Sequence, residues 1–499
     1  MTTSLPAGAY RLVREPVTPA VPPALDAYQR SVVEHRGGPL LVLAGPGTGK
    51  TTTLVEAVAA RIAEGVPAEE ILVLTFSRKA AVELRDRITA RVNVPGAGPD
   101  RGAVGGGAAV PQATTFHSFC YALLRAYQEP DHYAEPLRLL SGPEQDVLVR
   151  ELLTGGAEDA RAGVAGGPGW PGELRAALTT RGFADEVRAV LARARELGLG
   201  ETELARFAER VGRPDWHAAA AFLAEYLDVL DGQDLLDYAE LVHRAVLLAE
   251  RPEVGGQLRR TFRVVFVDEY QDTDPSQVRL LRALAGGGRE LVAVGDPDQS
   301  IYAFRGADVN GILDFPHDFP QADGRPAPIR VLRVSRRAGR RLLASSRVLA
   351  QRLPSGRLPA AALAAHRDLT PAREGGSVEV LTFPTPGAEL DNIADLLRRA
   401  HLEQEVPWSE MAVLVRAGSR SLPGLRRTLT SAGVPVEIDG DDLPLHAEPA
   451  VAPLLTALRL CALSATRSRR LDRTPDAPDA APIPHQPGPP DDASGEPPV

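Results

Sequence analysis

The chain has 499 residues, 44% of them apolar, and a formal net charge of −9. That length exceeds what one hydrophobic core organises and predicts two or more domains, with ample apolar material to bury. Two cysteines without metal-ligand spacing exclude a disulfide framework and a zinc ribbon, and the absence of any leader-like or membrane-length apolar run predicts a soluble, cytoplasmic protein.

Residues 1–24 read as an N-terminal extension. Short runs rich in Val, Ile and Leu at 40–44, 71–75, 264–267 and 291–294 each end in a polar or glycine-rich turn and predict buried parallel strands. Helical patterns lie between them; in 79–92, Ala80, Leu84, Ile88 and Val92 recur at intervals of four on one face. Strand alternating with helix predicts a doubly wound α/β core, its first lobe running over 25–120 and 252–328. Residues 95–111 read as a flexible glycine-rich loop, and 121–251 as an inserted subdomain that is almost wholly helical. A second α/β unit is predicted over 329–470, with strand candidates at 329–334, 377–383 and 411–416. From 471 onward the chain is too rich in proline and too poor in apolar residues to fold, so a disordered tail is expected there. The tail holds six acids against one arginine, leaving a net charge of about −4 on the rest, where local arginine patches decide nucleic-acid binding.

The first chemical motif follows the first strand. Ala44, Gly45, Pro46, Gly47, Thr48, Gly49, Lys50 and Thr51 have the spacing of a P-loop between strand and helix, with Thr52 next in the helix. Backbone N–H groups of such a turn close on phosphate oxygens at the positive helix end. Lys50 then reaches the β- and γ-phosphates, and Thr51 offers a hydroxyl to Mg²⁺. Of the 56 basic residues 54 are arginine, and Lys50 is one of two lysines: a planar guanidinium on a bulkier head fits that cradle poorly.

A P-loop alone leaves kinases, transporters and GTPases open. In FRVVFVDEYQDTDPSQ an apolar strand ends at Asp268 and Glu269; the first carboxylate can hold the metal and the second can take a proton from attacking water. In LVAVGDPDQSIYAFRGA, Asp296, Gln299 and Arg305 sit on the loop after another core strand. Gln299 is a neutral two-ended hydrogen-bonder suited to sensing a γ-phosphate. Tyr302 and Phe304 are aromatics in a polar loop, a candidate platform for unpaired bases.

Four strings, TFSRKAAVELRDRI (75–88), ATTFHSFC (113–120), VDEYQDT and VGDPDQSIYAFRGA, resemble in order and spacing the motifs of UvrD/Rep-type superfamily 1 DNA helicases. VLVRAGSRSLPGLRRTLTSAGVPVEI and the arginine-rich composition are most similar to the AdnA subunit of the actinobacterial AdnAB helicase–nuclease. The resemblance spans roughly 25 to 465. It implies a RecA-like core with a partial second RecA-like lobe, ATP and Mg²⁺ as cofactors, and single-stranded DNA as partner. A 3′→5′ polarity, a role in DNA repair or recombination, and a possible second helicase–nuclease subunit are implied as well. By position, Gln29 matches the adenine-reading glutamine, Lys50 and Thr51 the phosphate and Mg²⁺ ligands, and Asp268 the metal acid. Glu269 matches the catalytic base, Gln299 the coupling residue, and Arg337 an arginine that reaches the γ-phosphate from the second lobe. Phe76, Thr115, His117, Tyr302, Phe304 and Arg305 match positions beside the single strand. Lys79 matches a family lysine, with DNA, an acidic partner or plain solvent as its surroundings.

Departures from the family accompany the matches. Ser335, Arg336 and Arg337 stand where Asn-Tyr-Arg is common, so Arg336 replaces an aromatic that stacks on adenine; Thr52 is altered on the other side of the base, and Phe304 stands where Trp is frequent. The family's last two motifs have no counterpart, since Thr466 and Arg467 in LSATRSRRLDR follow no strand. The chain is therefore expected to be a front fragment or reduced form of a larger motor. Two readings stay open: an ATP-driven helicase or translocase, and an ATP-regulated single-strand binder or partner subunit that does not translocate.

Overall fold

The apolar runs form strands because they meet one another edge to edge. A computed structural model describes residues 23–92, 111–127, 137–164, 166–303, 306–308, 310–353, 357–438, 451 and 453–461; the glycine-rich loop, the proline-rich tail and most of the N-terminal extension fall outside these. The strands are β1 (Pro39–Ala44), β2 (Ile71–Thr75), β3 (Gln112–Thr115), β4 (Arg138–Leu139), β5 (Leu235–Leu236), β6 (Val264–Val267), β7 (Glu290–Gly295), β8 (Ile329–Leu332), β9 (Val334–Gly339) and β10 (Thr370–Arg373). Six of them make one sheet in the order β3-β2-β6-β7-β1-β8, every pair parallel. β4 pairs with β5, and β9 with β10, as small parallel ribbons.

Consecutive side chains of the central strands enter opposite cores. Leu41, Leu43, Leu72, Leu74, Val265 and Val267 face one cluster. Leu40, Val42, Ile71, Val73, Val264 and Phe266 face the other. Such strands are apolar at every position because both faces are covered, and each large side chain so buried contributes about 1.5–3 kcal/mol. The second face is closed by α1 (Ala27–Val33), α2 (Lys50–Ala63) and α3 (Arg78–Val92), whose buried positions in α3 are Ala81, Leu84 and Ile88. The first is closed by α4 (Phe116–Ala126) and by helices returning later in the chain.

The predicted insertion is helical and has its own core. Its core is built by α5 (Gly142–Ala162), α6 (Arg181–Glu196), α7 (Glu201–Val211) and α8 (Pro214–Gly232), with Val149, Leu153, Leu191, Phe222 and Leu223 buried at the centre, while α9 (Tyr238–Ala249) packs into the core of the main sheet. The ribbon of β4 and β5 is its one departure from the all-helical expectation among the described residues. The sheet resumes through α10 (Pro252–Thr261), α11 (Pro275–Ala285), α12 (Gly311–Asp318), α13 (Arg340–Ala350) and α14 (Ala360–Arg367).

The chain divides into two compact units, residues 1–378 and 379–499. This moves the expected start of the second α/β unit. The run at 329–334 breaks at Arg333; its first part, β8, adds to the edge of the main sheet beside β1, because Leu332 continues the core on which Leu40 and Val42 pack. Within the second unit, α15 (Pro386–Gln404) and α16 (Gly418–Ser431) pack around Ala394, Leu425, Leu429 and Val434. The strand candidates at 377–383 and 411–416 form no strand: no described strand lies beside either, and Val380 and Leu414 remain 86% and 92% exposed. Among the described residues no helix is long and apolar enough to cross a membrane.

Candidate active site

Because all six strands are parallel, the segments that follow them leave from one edge. The P-loop after β1, Phe76 after β2, His117 after β3, Asp268 and Glu269 after β6, Gln299 after β7 and Ser335–Arg337 after β8 all start there. In open parallel sheets ligands bind outside the carboxyl ends of the strands.

The turn from β1 to α2 is built for close approach. Gly47 (φ +73°) and Gly49 (φ +87°) occupy the left-handed region, and a Cβ would lie 2.5 Å from Arg337 Cβ at the first and 2.6 Å from Gln29 Nε2 at the second. Thr48 Oγ1 donates to Gly45 O (2.7 Å), and Thr53 Oγ1 to Gly49 O (2.8 Å), closing the turn onto the helix. Lys50, the first residue of α2, donates from Nζ to Glu269 Oε2 at 2.8 Å. Thr51 and Thr52 lie half-buried in the first turn of α2.

The paired acids occupy contrasting surroundings. Asp268 is 6% exposed, and burial with Glu269 alongside pushes its carboxyl up to about 6 against the opposing pull of Lys50. Glu269 has φ +52°, a rare conformation for a residue with a side chain, of the kind that clusters at working sites. Gln271, buried behind them, donates from Nε2 to Glu269 Oε2 (2.8 Å) and accepts from Asp296 N at Oε1 (3.0 Å). Asp272 is pushed up to about 6, chiefly by burial, and its Oδ1 is buried without a hydrogen-bond partner. A crowded set of hard oxygen donors with surplus negative charge fits a divalent cation such as Mg²⁺.

Gln299 donates from Nε2 to Asp296 Oδ2 (2.5 Å), and the other oxygen of Asp296 faces His366 Nε2 at 2.9 Å. Arg367 holds both oxygens of Asp298 (2.9 and 2.7 Å). On the opposite flank Gln29 is fully engaged: Nε2 donates to Thr48 O (3.4 Å), while Oε1 accepts from Asp26 N (3.2 Å) and Arg336 Nη2 (3.0 Å). Arg336 is further tied to Asp26 Oδ2 (2.8 Å), occupying with an ion pair the side where the resemblance expects an aromatic. Ser335 Oγ donates to Pro46 O (2.9 Å) and Arg336 N to Gly47 O (2.8 Å), so the backbone of Arg337 lies directly on the P-loop. Arg337 thus belongs to the same unit as the P-loop, where the sequence reading put it across a cleft on a second lobe.

Toward the expected DNA path, Phe76 and Tyr302 stack with ring centroids 4.6 Å apart at 28°. His117 packs edge-on to Tyr238 at 5.3 Å, and burial lowers its pKa. Thr115 is the N-cap of α4: its Oγ1 accepts from Ser118 N (3.2 Å), which gives this residue a structural duty as well. Lys79 is exposed on the first turn of α3. Phe304 and Arg305 lie outside the described residues. Sequence reasoning missed Asp26, Gln271, Asp272, His366 and Arg367; for the first three, polar residues abutting a named motif were the available signal.

Helix α6 of the insertion meets the loop after β7. Arg193 Nη1 donates to Gly306 O (3.1 Å), and Glu196 is packed so tightly there that burial pushes its carboxyl up to about 7 from an ordinary 4.5. Between those values the folded chain binds a proton that the unfolded chain releases, so this group lowers stability as pH rises from about 4.5 to about 7. Glu196→Gln is expected to raise the thermal midpoint at pH 8 and to flatten that acid-side dependence, as read by denaturation at pH 5 and pH 8; an unchanged profile would contradict the burial argument.

The fold places a strand–P-loop–helix turn at the carboxyl edge of a parallel sheet, consistent with a RecA-like helicase core. A family model described as the UvrD/REP helicase N-terminal domain matches residues 25–320. The chain belongs to this family. It is 32% identical over 432 residues to "ATP-dependent DNA helicase UvrD2" of Mycobacterium tuberculosis (strain ATCC 25618 / H37Rv), covering 84% of this chain and 55% of that protein. It is 30% identical over 437 residues to "ATP-dependent DNA helicase UvrD1" of Mycobacterium leprae (strain TN), covering 83% and 50%. To "ATP-dependent DNA helicase PcrA" of Bacillus subtilis (strain 168) it is 29% identical over 420 residues, again 83% and 50%. The chain spans about half the length of the curated relatives it matches.

Proposed function

We propose that the chain binds and hydrolyses ATP at the β1–α2 turn and couples turnover to single-stranded DNA held along the same sheet edge, as a UvrD-like helicase or translocase subunit. The observation that carries this reading is the 2.8 Å contact of Lys50 Nζ with Glu269 Oε2, which brings the P-loop lysine to the paired acids. The lysine pairs with Glu269, which this reading makes the catalytic base. Phosphate arriving at the turn competes for Lys50, and once the lysine moves, Glu269 stays oriented by Gln271 Nε2 and is free to accept a proton from the attacking water. Thr51 and Asp268 would hold Mg²⁺, which when bound neutralises charge on the β- and γ-phosphate oxygens. Arg337, seated on Gly47, supplies a guanidinium to the γ-phosphate, and Gln299 changes partner from Asp296 to that phosphate. The stacked Phe76 and Tyr302 open to receive bases. The polarity, 3′→5′, a role in DNA repair or recombination, and a second helicase–nuclease subunit of the AdnAB kind are carried over from the resemblance.

A second reading is a single-strand binder or partner subunit that does not translocate; among the described residues, 377–383 and 411–416 form no strand. DNA-stimulated ATP hydrolysis without strand displacement would support it; displacement supports the first. Both readings expect affinity for single-stranded DNA that falls steeply with salt, because phosphate contacts release counterions. Tyr302→Ala should weaken binding of an oligothymidylate by about 1–3 kcal/mol, roughly 5- to 150-fold, in fluorescence anisotropy. Unaltered affinity would remove the aromatic pair from the DNA path.

A further inference from the structure

The carboxylate of Asp296 is wholly buried, and it is shared. Its Oδ2 accepts from Gln299 Nε2; its Oδ1 meets His366 Nε2 and also accepts from Asp298 N. The backbone N–H of Asp296 is fixed by Gln271, the same amide that holds Glu269. His366, 3% exposed at the end of α14, comes from 70 residues further along the chain, and Arg367 beside it clamps both oxygens of Asp298. The following residues reach the other parts of the site. A Cβ on Gly45 would lie 3.6 Å from His366 Cε1 and 2.9 Å from Leu369 Cδ1. Thr370 and Pro371 are in register with Val334 and Ser335, on the strand that carries Arg336 and Arg337.

Residues 366–371 therefore touch the P-loop, the Gln299 loop and the arginine strand together. We propose that His366 is a positioning residue: through Asp296 it sets where Gln299 stands, and with Arg367 it ties the Gln299 loop to the strand of Arg337. The proposal rests on the hydrolytic reading above and extends it to a helix outside the motifs. Asp296, Asp298 and His366 lie close enough to hold a cation, but every carboxylate oxygen among them already has a donor from the chain, so hydrogen bonding accounts for the cluster without a metal. Packing alone does not account for the imidazole either. Its Nδ1 is buried without a partner, a cost that leucine of similar volume would not carry.

The test compares His366→Leu, His366→Gln and Arg367→Ala in the full chain, by steady-state ATP hydrolysis with an oligothymidylate and by hydrogen–deuterium exchange without ligands. His366→Leu should lower DNA-stimulated kcat about 10- to 100-fold, with KM for ATP and oligonucleotide Kd within about threefold of wild type, the range expected when a reacting group is displaced but binding is kept. His366→Gln places an amide Nε2 near the ring Nε2 and should recover kcat to within about threefold. In exchange, His366→Leu should deprotect residues 296–300 and leave 264–267 unchanged. Wild-type kcat in His366→Leu, or a loss that His366→Gln does not recover, would overturn the proposal. Should His366→Leu fail to fold, Arg367→Ala decides by the same two readouts. A wild-type chain that hydrolyses no ATP would sink the hydrolytic reading instead, and unchanged protection over 296–300 would still refute the positioning role.

Discussion

Lys50→Ala is expected to abolish DNA-stimulated ATP hydrolysis, with kcat/KM down by at least about 10³, while the chain stays folded. The lysine is the cation aimed at the paired acids, 2.8 Å from Glu269, and its field opposes the rise of Asp268 and Asp272. Removing it takes away the charge that must follow the transferring phosphate and leaves three carboxyls crowding one another. The turn itself survives, because Thr48, Thr53 and the two left-handed glycines build it without the lysine side chain. Lys50→Arg is not expected to rescue: a guanidinium presents a planar fork where a compact ammonium is needed. The measurement is steady-state hydrolysis with circular dichroism as the folding control. Substantial residual turnover in Lys50→Ala would remove the P-loop from the chemistry.

For Arg337→Ala, ATP affinity should change only a few-fold while turnover drops by about 10³–10⁵, some 4–7 kcal/mol of barrier. The separation is expected from how the strand is seated. Ser335 Oγ on Pro46 O and Arg336 N on Gly47 O hold β9 against the P-loop through groups that the substitution leaves intact. What disappears is a guanidinium whose contribution grows as charge develops on the phosphate, a loss confined to the transition state. Fluorescent-nucleotide titration beside single-turnover hydrolysis distinguishes the two quantities. Equal losses in both would mean that Arg337 binds ground-state nucleotide and does not act as a finger.

The central sheet was legible because β1, β2, β6 and β7 are covered on both faces, and continuous apolar runs record that directly. β3, with sequence QATT, was not: it is an edge strand with alternating exposure, and four residues of mixed polarity carry no periodic signal. The opposite failure occurred at 377–383 and 411–416, where apolar runs were present but no strand forms among the described residues, and hydrophobic pattern alone cannot report whether a partner is at hand. In the candidate site, Lys50, Asp268 and Glu269 stood out in the sequence because each lies in a contiguous motif, and the fold brings Lys50 to Glu269. Arg336 with Gln29, 307 positions apart, and His366 with Asp296, 70 apart, are encounters produced by the fold. A buried histidine at the end of an alanine-rich helix looks like any other until its neighbour is known.

The order of the six strands also dictates a timetable for synthesis. β1 has only β7 and β8 as neighbours, so the ribosome must add about 250 residues after Ala44 before the first of them exists. At roughly 5–20 residues per second that is about 12–50 s during which PLLVLA, apolar throughout, has no ladder to join. Nascent-chain chaperones that shield this segment should therefore raise the yield of soluble material.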